Sequence, residues 1–257
     1  MISKTLSRKQ VGAEPGFQWR GDEITRVEGL SDAVFAFAVT LLVVSLEVPK
    51  SFDDFYLVIK GLPSFAMTFL LLMLIWYNQY KFFRRYGLQD FKTVVLTITL
   101  LFVIIFYVYP MKFLFSGMFT PIMDAIFPDL PKLKVNIVAS VWDIRNLMIL
   151  YHIGVIAVYG VFTWMYRHAY SQRERLDLNE IEIFDTKVSI NVSAYFVCLG
   201  SLGLIMAITG GQLLISLSGI MYGPVSFAYF WISGSKFEKK RKMLLTKWEI
   251  SAENMPI

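Results

Sequence analysis

The sequence predicts an all-α integral membrane protein with six transmembrane helices in each chain. Of its 257 residues, 56% are apolar and only 18% are charged, which is a lower charged fraction than soluble domains carry. Apolar runs of about twenty residues recur along the chain, and a helix needs about this length to cross the hydrocarbon core of a bilayer. The alternating ten-residue segments that are typical of membrane β-barrels do not occur.

Six apolar runs define the predicted spans, at about 26–46, 55–80, 93–109, 147–166, 188–208 and 212–232. They divide the chain into a cytoplasmic N-terminal segment (1–25), a six-helix transmembrane domain (26–232) and a basic cytoplasmic tail (233–257). Residues 1–20 lack an apolar core, so they are not expected to be a signal peptide.

The basic residues of the connecting segments predict the orientation. Eighteen of them flank the spans on the side that holds both termini, against five on the opposite side. Because segments rich in Lys and Arg stay in the cytoplasm, both termini are predicted to be cytoplasmic in a multi-pass protein of the cell membrane. The net charge of +5 favours anionic membrane lipids, and not nucleic acid, as partners.

Local composition gives expectations for three other regions. Residues 110–143 contain four prolines and are predicted to form a long outer loop. The polar stretch 171–185 is expected to be a solvated helix or loop. Cys198 is the single cysteine and lies inside an apolar run, so it is expected to be a buried, apolar filler residue.

The first span has a defined start and two faces. Thr25 and Glu28 have the spacing of a capping box, so the helix is predicted to begin at Arg26. With about 100° of rotation per residue, one stripe contains Leu30, Ala33, Phe37, Thr40, Leu41 and Val44, and the opposite stripe contains Asp32, Phe35, Val39, Leu42 and Leu46. The ordinary interpretation of the first stripe is packing against other helices.

Polar residues stand at the mouth of this span, where ionisable groups are costly unless they are paired or functional. Arg26 and Asp32 lie about a third of a turn apart around the axis, so each is expected to find its partner on another helix or subunit. If the first stripe lines a passage, Asp32 points away from it into packed protein. Two simpler roles stay open: Asp32 caps a neighbouring helix, and Thr40 donates to the carbonyl of Ala36.

The polar residues and the helix that follows them resemble the signature of the transmembrane protein 175 family of potassium channels. That signature reads Arg-x-x-x-Phe-Ser-Asp, followed by an apolar helix with a threonine eight positions after the aspartate. The chain has Arg26-Val-Glu-Gly-Leu30-Ser31-Asp32 and then Thr40. The resemblance is to the bacterial type, which has one six-helix unit per chain.

The resemblance implies a homotetramer in which the first helix of every subunit lines a central pore. The stripe that would face the ions is the one that helical spacing also picks out. The implied pore-lining and gating residues are Phe37, Thr40, Val44 and Leu41, with Thr40 as the selectivity position. The implied helix-packing network at the cytoplasmic end consists of Arg26, Ser31 and Asp32.

The chain departs from the family pattern at four positions. Leu30 stands where phenylalanine is usual, and Phe37 stands where a branched aliphatic residue forms the main constriction. A weaker similarity runs from Trp76 to Phe82 at the end of the second span. There Asn78 and Gln79 replace a histidine pair, so pH sensing through that pair is not expected.

The implied activity is potassium conduction with modest selectivity over sodium. The chain has no Thr-Val-Gly-Tyr-Gly filter, so selectivity would come from side-chain rings and pore width, and apolar rings would gate by dewetting. The expected partners are membrane lipids and potassium ions. No cofactor is implied, and no metal other than potassium passing near Thr40.

Other functional classes have weaker support. An enzyme needs metal ligands or a nucleophile with its base, and the two histidines, His152 and His168, lack ligand spacing. A secondary transporter would have broken helices near the membrane centre, whereas Gly200 and Gly203 are better explained by close helix packing. A proton-permeable channel stays open as an alternative, because Asn191 and Ser193 place polar groups in the fifth span.

Overall fold

A computed structural model describes residues 15–21, 23–44, 48–132 and 140–253, and all the regular structure within these residues is helical. The elements are α1 (Arg26–Val44), α2 (Phe52–Tyr86), α3 (Phe91–Ile126), α4 (Val141–Ser171), α5 (Glu180–Thr209), α6 (Gln212–Ile220) and α7 (Tyr222–Glu253). The predicted all-α architecture is confirmed. Leu46, the predicted end of the first span, lies outside the described residues.

Five of these helices, α1 to α5, are long and apolar enough to cross a membrane. Helices α6 and α7 together form a sixth candidate span, which bends by 44° at the break between them. His152 of α4 is buried against this break, where its ring nitrogens contact the hydroxyls of Tyr222 and Ser218 at 2.8 and 3.1 Å. The bend is therefore held by a satisfied polar contact.

Side-chain caps and a left-handed glycine set several helix ends. Ser51 accepts a hydrogen bond from the backbone of Asp54 at the start of α2. Gly87 ends the same helix with a φ of 57°, a conformation that glycine adopts without strain. Asn179 opens α5 as one half of a capping box with Glu182. These signals are local, and they can be read from the sequence.

The prediction of a loop over residues 110–143 is wrong for much of its length. Helix α3 continues through Pro110 and Pro121 to Ile126, and α4 begins at Val141. Proline removes one helical hydrogen bond, but membrane helices tolerate it because neighbouring groups satisfy the freed backbone. Residues 133–139 of the predicted loop lie outside the described residues.

Two other expectations need correction. Residues 171–185 are solvated only in part: Ser171, Glu174, Arg175 and Asp177 are exposed, whereas Glu182 and Asp185, in the first turns of α5, are buried. Cys198 is exposed and not buried, because it faces away from the side of α5 that packs in the bundle.

The predicted boundary between residues 232 and 233 falls inside α7, so the described part of the basic tail is helical.

Most of the helices pack against helices that are close to them along the chain. Helix α1 contacts α2 and α3, α3 contacts α4, α4 contacts α5, and α5 contacts α7. The largest cluster of buried apolar side chains includes Phe35, Leu42, Phe82 and Phe162. We call one end of the bundle the basic end; it contains residues 15–21, the α2–α3 turn, the α4–α5 turn and the second half of α7.

Buried ion pairs fasten the chain together at the basic end. The guanidinium of Arg20 makes two hydrogen bonds of 2.8 Å to the buried carboxylate of Glu182. Arg241 of α7 contacts Asp185 of α5 at 3.1 Å and the carbonyl of Pro15 at 2.8 Å. Because a buried carboxylate is costly without a charged partner, these contacts fix residues 15–21 and α7 against α5.

Candidate functional site

The first turn of α1 forms as the sequence predicts. The Oγ1 of Thr25 accepts a hydrogen bond from the Glu28 backbone at 3.1 Å, and the Glu28 carboxylate accepts one from the Thr25 backbone at 3.4 Å. The helix begins at Arg26. The predicted capping box is therefore confirmed.

One face of α1 packs against α2 and α3. Its buried residues are Glu28, Ser31, Phe35, Ala38 and Leu42. Their spacing of three and four residues is that of a single helical stripe. Since Phe35 and Leu42 belong to the largest buried cluster of the chain, this stripe determines the rotation of α1 about its own axis.

The opposite face of α1 is uncovered by the rest of the chain. Phe37 is 54% exposed and Val44 is 70% exposed, and Thr40 between them is exposed as well. Leu41, the fourth predicted pore residue, is half-buried at the edge of this face. The structure thus places three of the four residues on one open, mainly apolar stripe.

Thr40 makes the simple backbone contact that its position allows. Its Oγ1 donates to the carbonyl of Ala36 at 2.9 Å. The hydroxyl proton is therefore engaged within the helix, while the two lone pairs of the oxygen stay available as acceptors. A hydroxyl held in this way can contact a cation from the open face.

Ser31 connects α1 to α2 inside the packed bundle. Its hydroxyl donates to the Val27 carbonyl at 2.9 Å and accepts a hydrogen bond from the Gln79 side chain at 3.1 Å. Gln79 is buried, and its Oε1 has no hydrogen-bond partner among the described residues. Gln79 of α2 therefore supports Ser31 of α1 directly.

Asp32 lies elsewhere than predicted. It is exposed on the surface of the subunit, where its carboxylate accepts a hydrogen bond of 2.8 Å from the indole of Trp76. The expectation that Asp32 points into packed protein is therefore wrong within one chain. The reason is that the packed stripe is centred on Phe35 and Leu42, and Asp32 lies beyond its edge.

Arg26 has no intrachain partner in the described part of the protein. It is exposed at the start of α1, on the same side of the helix as Phe37 and Val44, and it makes no hydrogen bond or ion pair with the residues that the structure describes. As expected, Arg26 and Asp32 do not pair with each other. Of the three residues, Ser31 is thus buried, Asp32 makes a single surface contact, and Arg26 extends outward.

A buried ion pair that the sequence reasoning missed anchors the same end of α1. The carboxylate of Glu28 pairs with the guanidinium of Arg84 near the end of α2. Arg84 also donates to the carbonyl of Gly21 at 2.5 Å. The sequence contains a signal for this pair. Glu28 falls on the packed stripe of the helical wheel, where a buried carboxylate requires a charged partner.

The histidines and acidic groups do not form a candidate metal site within the described ranges. No cluster of three or more His, Cys, Asp or Glu side chains is present there. His152 is engaged at the break between α6 and α7, and His168 contacts Asp90 at 2.6 Å. Both histidines therefore have structural partners.

Comparison with known proteins identifies the group to which this arrangement belongs. A family model described as "Endosomal/lysosomal potassium channel TMEM175" matches residues 26–108. A potassium channel from Marivirga tractuosa is 40% identical over 218 residues, which cover 82% of this chain and 87% of that protein. The match to the family model includes α1 and the residues of α2 that contact it, Trp76, Gln79 and Arg84.

Two solved structures match this chain to different extents. The crystal structure of a variant of the potassium channel MtTMEM175, in complex with a Nanobody-MBP fusion protein, has a TM-score of 0.77 and 37% sequence identity, and the match covers 87% of this chain and 99% of that one. The structure of a lysosomal potassium-selective channel TMEM175 homolog from Chamaesiphon minutus has a TM-score of 0.49 and 19% identity, over 79% of this chain and 95% of that one.

Replacing Glu28 with Gln tests the anchor of α1. Gln can still serve the capping box, but it leaves the buried guanidinium of Arg84 without a counter-charge. We expect the free energy of unfolding to fall by about 2 kcal/mol, measured as a lower thermal transition in detergent. The control is Glu23→Gln, at an exposed position just before the helix. Equal transitions for both variants would contradict the anchoring role.

Proposed function

This chain belongs to the TMEM175 family of potassium channels, and we propose that it forms a homotetramer whose central pore is lined by four copies of α1. The single observation that supports this most strongly is the open stripe of α1 with Phe37, Thr40 and Val44. One helix cannot enclose a path for ions. The stripe becomes a pore wall only when copies of it face one another.

The rotation of α1 supports this assembly. Ser31 and Glu28 hold the opposite face of the helix against α2, so the open stripe points away from the body of the subunit. Residues 33–44 carry no charged side chain. A tetramer would therefore cover an apolar surface of the helix and leave an uncharged path along its axis.

In this arrangement Phe37 and Val44 form two apolar rings. Narrow apolar rings expel water and close a pore without a moving plug. Four phenyl groups are bulkier than branched aliphatic side chains, so the Phe37 ring closes the path more tightly, or opens when the rings swing aside. Leu41, half-buried at the edge of the stripe, packs behind these rings.

Thr40 forms the ring between the two constrictions. Its hydroxyl oxygens replace part of the hydration shell of a potassium ion, because the protons are engaged by the Ala36 carbonyls. No carboxylate lies on this part of α1, so selectivity over sodium is modest. The resident ion is the conducted potassium, and the function requires no cofactor.

The motif residues join subunits at the basic end of α1. Arg26 has no partner among the described residues of its own chain, and Asp32 keeps free acceptor capacity beside Trp76. An arginine at the mouth of a span is costly when it stays unpaired. We therefore assign to Arg26 and Asp32 contacts with a neighbouring subunit, and to Ser31 the contact within the subunit.

The proposed location is the cell membrane, with both termini and the basic end in the cytoplasm. The excess of basic residues at this end supports the orientation. The broken α6–α7 span favours the alternative of a secondary transporter. Its polar groups, however, contact one another through His152, and a saturable, ion-coupled flux would identify a transporter.

Subunit counting tests the assembly. We expect the purified protein to have the mass of four chains in detergent or lipid nanodiscs, because only several copies can close the path along α1. The measurement is native mass spectrometry, with light scattering as an independent check. A stable monomer that conducts potassium would contradict the proposed pore.

Replacing Phe37 with Ala tests the constriction. If the loss of four phenyl rings lowers the barrier to the ion by about 1.4 kcal/mol, potassium flux into liposomes rises about tenfold. Phe102→Ala is the matched control, since Phe102 is an exposed phenylalanine on α3 and not on the proposed pore helix. Unchanged flux in Phe37→Ala, or an equal increase in both variants, would remove Phe37 from the ion path.

Replacing Thr40 with Val tests the selectivity position. Loss of the hydroxyl ring should lower the potassium-to-sodium permeability ratio about fivefold, which corresponds to about 1 kcal/mol. Reversal potentials under bi-ionic conditions give this ratio. Thr99→Val is the control, because Thr99 is also exposed and donates to the carbonyl four residues earlier at 2.9 Å. A ratio that stays constant in Thr40→Val would exclude the threonine ring as the filter.

A further inference from the structure

A groove opens between α3 and α4 at the basic end of the bundle, away from the open stripe of α1. Its cavity volume is about 440 Å³, which is large enough for a small-molecule headgroup. The start of α3 and the end of α4 form its two walls. No side chain of α1 lines it.

The groove changes from polar to apolar with depth. Lys92, Arg167 and Ser171 line its outer part. Three residues deeper, at about 4.5 Å along the helix axes, Val95 and Trp164 line the same groove. A phospholipid has this order of groups, with a charged headgroup at the surface and apolar chains beneath it.

Two cationic side chains that line the groove have no partner within the described part of the chain. Lys92 and Arg167 are exposed and make no hydrogen bond or ion pair with any residue in the described ranges. In contrast, Arg84 and Arg20 at the same end of the bundle pair with buried carboxylates. The charges of Lys92 and Arg167 are therefore available to an anion.

Asp90, the nearest acidic residue in sequence to Lys92, is already engaged. Its carboxylate accepts hydrogen bonds from Thr93 at 2.5 Å and from His168 at 2.6 Å. Burial acts to raise the pKa of Asp90, but the hydrogen bonds from Thr93 and His168 outweigh it and hold the pKa below the ordinary value. The Asp90 carboxylate is therefore engaged by side chains at the wall of the groove. It does not pair with Lys92 or Arg167.

Large, exposed aromatic side chains line the groove near the basic end of the bundle. Phe91 is 81% exposed and Trp164 is 65% exposed, although both belong to helices that cross the bundle. Tryptophan is enriched where a protein meets the headgroup region of a bilayer. Basic pockets between transmembrane helices on the cytoplasmic side are suited to anionic headgroups.

We propose that the α3–α4 groove is a binding site for an anionic phospholipid, with its phosphate between Lys92 and Arg167 and its acyl chains along Val95, Leu96 and Trp164. The inference uses the proposed orientation of the basic end, but it is independent of the pore. Charge and the polar-to-apolar order of the groove select a lipid over a soluble phosphate compound. The site would hold α3 and α4 at a fixed depth in the cytoplasmic leaflet.

Native mass spectrometry of the purified channel with added lipids tests this site. We expect phosphatidylglycerol to bind more tightly than phosphatidylcholine. In the double variant Lys92→Gln/Arg167→Gln the affinity for phosphatidylglycerol should fall about 25-fold, because each cation near an anionic surface contributes about a fivefold change. The control Lys236→Gln/Lys239→Gln removes the same charge from exposed positions of α7 and should retain the affinity.

Equal losses in the two double variants would overturn the proposal, since they would indicate a general surface attraction. Displacement of the lipid by millimolar inorganic phosphate would overturn the lipid assignment. A photoreactive phenylalanine analogue in place of Trp164 should cross-link to lipid; a cross-linked pair of subunits would instead place a second copy of the chain in the groove. These readouts do not depend on ion flux, so failure of the pore proposal is distinguishable from failure of this one.

Discussion

The rotation of α1 about its own axis is the constraint on which the candidate site depends. Glu28 pairs with Arg84, and Ser31 accepts from Gln79, so two buried polar contacts fasten one face of the helix to α2. Phe35 and Leu42 add apolar packing on the same face. Because residues on a helix are about 100° apart, fixing this face leaves Phe37, Thr40 and Val44 on the opposite side. A turn of one residue would replace that stripe with another set of side chains.

The cationic side chains at the basic end fall into two groups: some pair with carboxylates of the chain, and others are exposed. Arg20, Arg84 and Arg241 are held by carboxylates of the chain and fasten the N-terminal segment, α1 and α7 to the bundle. Lys92 and Arg167 are left exposed. The same residue types thus have two roles, and burial separates them: a buried cation requires a carboxylate, whereas an exposed one can bind an anion from outside.

Local signals predicted the start of α1 and the existence of the spans, but they failed where tertiary contacts override composition. Pro110 and Pro121 suggested a loop, yet α3 continues through both to Ile126. The charges of Glu182 and Asp185 suggested solvation, yet both residues are buried beside Arg20 and Arg241. For the two carboxylates the decisive partner lies more than 50 residues away along the chain, and no local pattern shows it.

The sequence by itself determined the all-α membrane architecture, the capping of α1 and the grouping of Phe37, Thr40 and Val44 on one stripe, because hydrophobic length and helical periodicity depend only on nearby residues. It also carried the resemblance to a family of potassium channels. Only the tertiary structure decided that this stripe is the uncovered one and that Asp32 lies on the surface beside Trp76. Which face of a helix is buried depends on contacts with other helices, and Glu28 found its partner in Arg84 only when α1 and α2 packed together.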